Sequence, residues 1–153
     1  LRGEAVVLHQ RQPYSVLVAL MFEPYEICED GDPSKASDTG KSSFAHHVGV
    51  LSKRAGRGRR KVYGGDPNAF VDYGAEDPRH DLFERVFIGL YEQAGEHRGA
   101  VRFFDVETPP PRNGRPAGNS AISFEEVVQA IRDEVDRRNR SAPTWAEPDG
   151  EDE

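Results

Sequence analysis

The chain holds a single cysteine, Cys28. No disulfide can close within it, and that usage fits a reducing, cytoplasmic setting. No run of about 18 apolar residues occurs, as a membrane-spanning helix needs; the longest, "VLVALMF" at 16–22, is the size of a strand. The opening residues, "LRGEAVVLHQRQP", lack the apolar stretch and small-residue cleavage site of a secretory signal. The first residue is Leu1, which fits a non-standard start, a processed end or a piece of a longer chain. No CxxC pair, HExxH, GxGxxG or Ser-His-Asp constellation is present. The common sequence signatures of zinc, dinucleotide and nucleophile chemistry are therefore missing.

What remains is acidic and moderately apolar. Asp and Glu number 27 against 20 Lys and Arg, a formal charge of −7 over 153 residues. That length predicts one domain, with a core large enough to need no staples. The pattern assigns residues 1–140 to a single α/β domain and 141–153 to a disordered acidic tail. Five of the last seven residues are acids, and Trp145 is the tail's one large apolar group.

Within the domain, "AVVLH" (5–9) is read as a short strand. "YSVLVALMF" (14–22) is read as a central strand, because its apolar residues do not alternate and both faces should be covered. A long loop follows over 23–42, with five acids before any base. "SSFAHHVGVLSKRAG" (42–56) predicts a helix capped by Ser42 or Ser43 and stopped at Gly56. A short strand is expected at 70–73. "DPRHDLFERVFIGLYEQAG" (77–95) reads as a helix, with Asp77 as N-cap, Pro78 in the first turn and Gly95 past the end. A strand at 100–107, a Pro- and Gly-rich loop, and a helix at 123–140 complete the domain. Ser123 and Glu126 of that last helix have capping-box spacing. The fold class is α/β: a small, at least partly parallel sheet packed by three helices.

Two strands, 14–22 and 100–107, are each followed by a long loop and a Ser-capped helix. If they run parallel, both loops lie at one carboxyl edge, where open α/β sheets bind ligands. Glu23, Asp105 and Glu107 would line that edge as candidate catalytic or metal-binding carboxylates. The helix starts at Ser43 and Ser123 would point backbone donors toward it. "DTGKSSF" (38–44) has the ending of a phosphate loop, but Lys35 stands where the motif needs glycine. Lys41 is kept as a candidate anion contact. His46 and His47 are neighbours rather than i, i+4 partners, a poor chelating geometry on a helix.

The strongest local signal is "SKRAGRGRRK". Residues 53–61 carry six Lys or Arg and no acid. Lys53, Arg54, Arg57, Arg59, Arg60 and Lys61 would neutralise phosphates or meet an acidic surface, the glycines would let the backbone approach closely, and Tyr63 could stack on a base. A solvated loop, or a loop paired with the chain's own acids, is the competing reading. The expected function is a non-catalytic binding or accessory module whose basic loop contacts a phosphate-rich partner, such as nucleic acid, or an acidic protein surface. The alternative is a metal-dependent enzyme acting on a nucleotide or phosphodiester at the sheet edge. No cofactor is expected in the first case; Mg²⁺ belongs to the second.

Overall fold

A computed structural model describes residues 2–61 and 70–141. The elements follow one another as α1 (Arg2–Arg11), β1 (Val18–Pro24), α2 (Ser43–Leu51), β2 (Arg59–Lys61), β3 (Phe70–Asp72), β4 (Arg85–Tyr91), β5 (Val101–Asp105), β6 (Ala121–Ile122) and α3 (Phe124–Ser141). The main sheet has the order β1-β4-β5-β6, and β2-β3 is a separate antiparallel ribbon. β1 pairs with β4 in parallel, while β4–β5 and β5–β6 are antiparallel. The content is thus mixed α/β with a small, partly parallel sheet, as expected. The proposed tail from 142 onward lies outside the described residues.

The expected helix at 77–95 is instead a loop followed by the central strand β4. Val86, Phe87, Ile88 and Leu90 are all fully buried. Their alternate side chains serve opposite faces, as a strand requires. Val86, Ile88 and Leu90 meet Phe104, Val106 and the Phe44 and Val48 of α2. Phe87 meets Phe103 and Val127 of α3 on the other side. A strand covered on both faces is a continuous apolar run, which periodicity alone does not separate from a buried helix. Gly89 settles the packing locally. It lies between Phe22 and Phe103 in register. A Cβ there would stand 2.7 Å from the Phe22 ring and 3.2 Å from that of Phe103. The two rings close over the bare backbone, edge to face at 6.0 Å.

Two strand expectations near the N-terminus also change. Residues 5–9 belong to helix α1, where Ala5 and His9 are buried while Val7 and Leu8 are exposed. The i, i+4 spacing of the two buried positions is the helix's docking contact. β1 is an edge strand and not a central one, because β4 takes the centre. Leu20, expected in the core, is therefore 41% exposed.

The remaining helix signals hold. Ser42 caps α2, its Oγ accepting from the Ala45 N–H at 3.2 Å. Ser123 and Glu126 form the capping box of α3 at 2.7 and 3.2 Å. The buried stripe of α3, however, passes from Val127 to Glu134, Arg137 and Arg138, leaving Phe124 and Val135 exposed. Among the described residues no helix is long and apolar enough to cross a membrane.

Candidate functional site: an arginine-lined cleft

The basic segment divides into a buried part and an exposed part. Arg57 is completely buried. Its guanidinium donates to Glu84 at 3.0 Å and to the carbonyls of Ala75 and Asp77 at 3.2 Å. Glu84, just before β4, also accepts from Arg138 of α3 and from the Leu17 N–H at 2.7 Å. Both ring nitrogens of His9 in α1 face oxygens, Glu84 at 3.3 Å and the His80 carbonyl at 3.0 Å. Burial alone would raise the Glu84 carboxyl; the hydrogen bonds from His9 and Leu17 and the Arg138 charge hold it below its ordinary range. Three elements remote in sequence are thereby joined at one carboxylate.

Arg59 makes a second junction. It donates to Glu107 at 2.5 Å and lies 3.2 Å from Glu134, which also pairs with Arg85 at 2.8 Å and Arg137 at 2.6 Å. Arg57 and Arg59 thus neutralise internal acids, and Arg57 presents no surface to a partner. Its place among partner contacts is corrected on that ground: desolvating a charge this deeply requires a paired carboxylate, and Glu84 supplies it.

The glycines of this segment also have an internal reason. Gly58 has φ +79°, and a Cβ on it would stand 2.8 Å from the Arg137 guanidinium. Its N–H donates to buried Asp77 at 2.7 Å, and its carbonyl accepts from the Tyr73 N–H at 2.8 Å. Asp77, expected to cap a helix, instead forms an Asx turn with the Arg79 N–H at 3.0 Å and ties down the basic loop. Burial works to raise its carboxyl. Hydrogen bonds from the Arg79 side chain and from the N–H groups of Arg79 and Gly58 prevail and bring it to about 2. Arg79 extends the tie, donating to the carbonyls of Gly56 at 3.1 Å and Arg59 at 2.8 Å.

Above this platform lies a cleft of about 500 Å³ between α2, the 55–60 loop and residues 106–110. Arg59, Arg60 and Arg79 line it, against one carboxylate, Glu107. Arg60 is exposed, and among the described residues no carboxylate is paired with it. Lys53 is exposed on the preceding turn, and Arg54 stands 3.8 Å from Asp81. Tyr73 is exposed, and the two-residue period of the ribbon puts it with Val71 on the side of Arg60. Tyr63 and the side chain of Lys61 lie outside the described residues.

The expected carboxylate edge is not assembled. β1 and β5 are antiparallel to each other, so their carboxyl ends lie at opposite ends of the sheet. Glu23 is in line with Leu90 and Arg102, whereas Asp105 is in line with Phe87 and Leu20. The separation is about 10 Å along the strands and about 10 Å across them. Glu23 pairs with His47 at 2.8 Å. Asp105 pairs with Arg85 at 2.8 Å, and Glu107 with Arg59. Among the described residues no group of three or more His, Cys, Asp or Glu is placed to hold a metal ion.

The long loops do meet, by another route. The 108–120 loop runs back beside α2. The Ser42 N–H donates to the Arg112 carbonyl at 3.0 Å, and the Gly114 N–H to that of Cys28 at 2.7 Å. At the α2 start, the Ser43 N–H already donates to Asp30 at 2.7 Å. Lys41 is taken by Asp38 at 2.8 Å. His46 is exposed while His47 holds Glu23, so the two do not converge on one ligand.

Compared with protein-family models, with curated proteins and with solved structures, the chain matches none. The functional reading therefore rests on the geometry of its own residues. A helix over 77–95 leaves no reason to single out Arg79, and a short strand at 70–73 does not by itself show that Tyr73 stands beside the basic loop. The Asp-Pro dipeptide at 77–78, which initiates turns as readily as helices, was the signal available.

Proposed function

We propose that the chain is a non-catalytic binding module that takes an anionic, phosphate-bearing partner in the cleft lined by Arg59, Arg60 and Arg79. The observation that carries this reading is Arg60. It is exposed at the mouth of the cleft, with no described carboxylate paired with it. Arg59 and Arg79 beneath it are oriented by fixed carboxylates, so their remaining donors are preorganised. Lys53 and Tyr73 extend the surface with a further charge and a flat ring able to stack on a base. The cleft concentrates positive charge on a body that is acidic overall, which steers an anion to this one region.

The test is a salt titration of binding by fluorescence anisotropy, using a labelled single-stranded oligonucleotide and, in parallel, a labelled acidic peptide. The oligonucleotide should bind at low salt with little sequence preference. Arg60→Ala should flatten the slope of log affinity against log salt by up to about 0.7, the share of one phosphate contact on a single strand. Unchanged binding in Arg60→Glu would place any site elsewhere. Binding of the peptide but not the oligonucleotide would turn the reading to an acidic protein partner. Binding of neither would end it.

A further inference from the structure

The outer side of β1 is an open strand edge. Among the described residues it pairs only with β4. From Val18 to Phe22 it carries no charge and no proline; Glu23 and Pro24 stand only at its end. Exposed edges are ordinarily blunted by charge, proline, a bulge or a covering element, because their free N–H and C=O groups pair with other chains. Both faces beside this edge are apolar. On the α2 side, Ala19 and Met21 open on a groove of about 230 Å³ formed with Val50, Leu51 and Phe83. On the α3 side, Phe22 is 57% exposed. Its ring leads through Phe103 to Phe124, which is 54% exposed and has its ring 5.7 Å from that of Phe103. The open parts of Leu20, Phe22, Val50 and Phe124 amount to on the order of 300–400 Å² of apolar surface, since a whole aromatic side chain presents roughly 150–250 Å².

We infer that this edge is a homodimer interface, in which β1 pairs antiparallel with β1 of a second copy about a two-fold axis at Met21. The strand is self-complementary in that register. Leu20 falls opposite Phe22 of the second copy on one face, and Met21 meets its own counterpart on the other. Such aliphatic–aromatic cross-strand pairs are favourable. The charges select the direction. Antiparallel pairing sets Glu23 opposite Ala19, so the two Glu23 carboxylates lie about 13 Å apart along the strands. Each then comes to the side of Arg54, on the groove that Ala19 lines. Parallel pairing would set Glu23 against Glu23. The open apolar area approaches what such an interface uses, a little over half of roughly 800 Å² per partner. The result is one continuous sheet of eight strands.

The test is the mass of the protein in solution, by light scattering or sedimentation over a concentration series, with amide hydrogen exchange at both ends of it. The parent should show twice the monomer mass, and the amides of 18–24 should exchange more slowly as concentration rises. Leu20→Lys and Phe22→Lys replace exposed side chains and should leave the circular-dichroism spectrum unchanged. Each should weaken the dimer at least about tenfold. Arg54→Glu, which removes the cation near Glu23, should weaken it less. A parent that stays monomeric at about 100 µM, where a dimer worth even roughly 6 kcal/mol would be largely formed, overturns the inference. So does a dimer of undiminished mass in Phe22→Lys, or protection confined to α3 or to the β2-β3 ribbon.

Discussion

Arg57 and Arg60 stand three residues apart in one basic segment and have opposite surroundings. Arg57 is sealed inside, shared among Glu84 and two carbonyls. Arg60 is open to solvent at the mouth of the cleft. Between them, Gly58 turns the chain with a positive φ, and β2 begins at Arg59. The lesson concerns charge density in a sequence. Positive charge gathered in one segment does not by itself mark a contact surface. Part of it here balances acids that the fold buries, and only the rest is available to a partner. Identical side chains acquire different roles because one sits where water is excluded and the other does not.

This contrast can be tested by stability. The largest effect belongs to Arg57→Ala, which leaves Glu84 short of one cation and two carbonyls without a donor. The expected loss is about 3–5 kcal/mol in a denaturant titration, the range for removing one partner of a buried pair. A loss under about 1 kcal/mol would mean the junction is far wetter than its burial implies.

A smaller effect comes from acid. Asp77 is held at about 2 in the folded chain, against about 3.9 when unfolded. A depressed carboxyl stabilises the fold above its unfolded value. That contribution, about 2–3 kcal/mol, is lost as pH falls from about 4 through 2. Glu84, also depressed, acts in the same direction. Asp77→Asn should lower stability at pH 7 and narrow its gap from the parent below about pH 3. Parallel pH profiles for the two proteins would assign the acid sensitivity elsewhere.

The smallest effect is expected at the exposed end. Arg60→Ala should change stability by less than about 0.5 kcal/mol, as exposed charges do. Paired with Arg57→Ala, it separates the two roles in one experiment. Equal losses for both would erase the distinction.

Much of the local grammar was legible in the sequence. The caps at Ser42 and Ser123 and the strand at 101–105 were readable because each rests on a few adjacent residues. β6 was hidden in a Pro- and Gly-rich loop, since two residues carry too little pattern to notice. The 85–91 stretch was misread because apolar residues on every position satisfy both a helix face and a doubly covered strand. That single misreading removed the central strand, promoted β1 from edge to centre, and hid the antiparallel relation of β1 to β5. The proposed convergence of Glu23 with Asp105 and Glu107 went with it. Of the cleft, the arginines at 59 and 60 were visible in the basic run, whereas Arg79 and Tyr73 became neighbours only through the fold.

The sequence alone determined the α/β character, the capped starts of α2 and α3, and the concentration of positive charge at 53–61, because these depend on neighbours within a few residues. Only the tertiary structure decided which arginines face water. Glu84, Glu107 and Glu134 reach Arg57 and Arg59 from 27 to 75 positions away in the chain. Whether a charge is buried and paired, or solvated and free to bind, is set by the dielectric and the partners around it, and those are supplied by segments that share nothing with it in sequence.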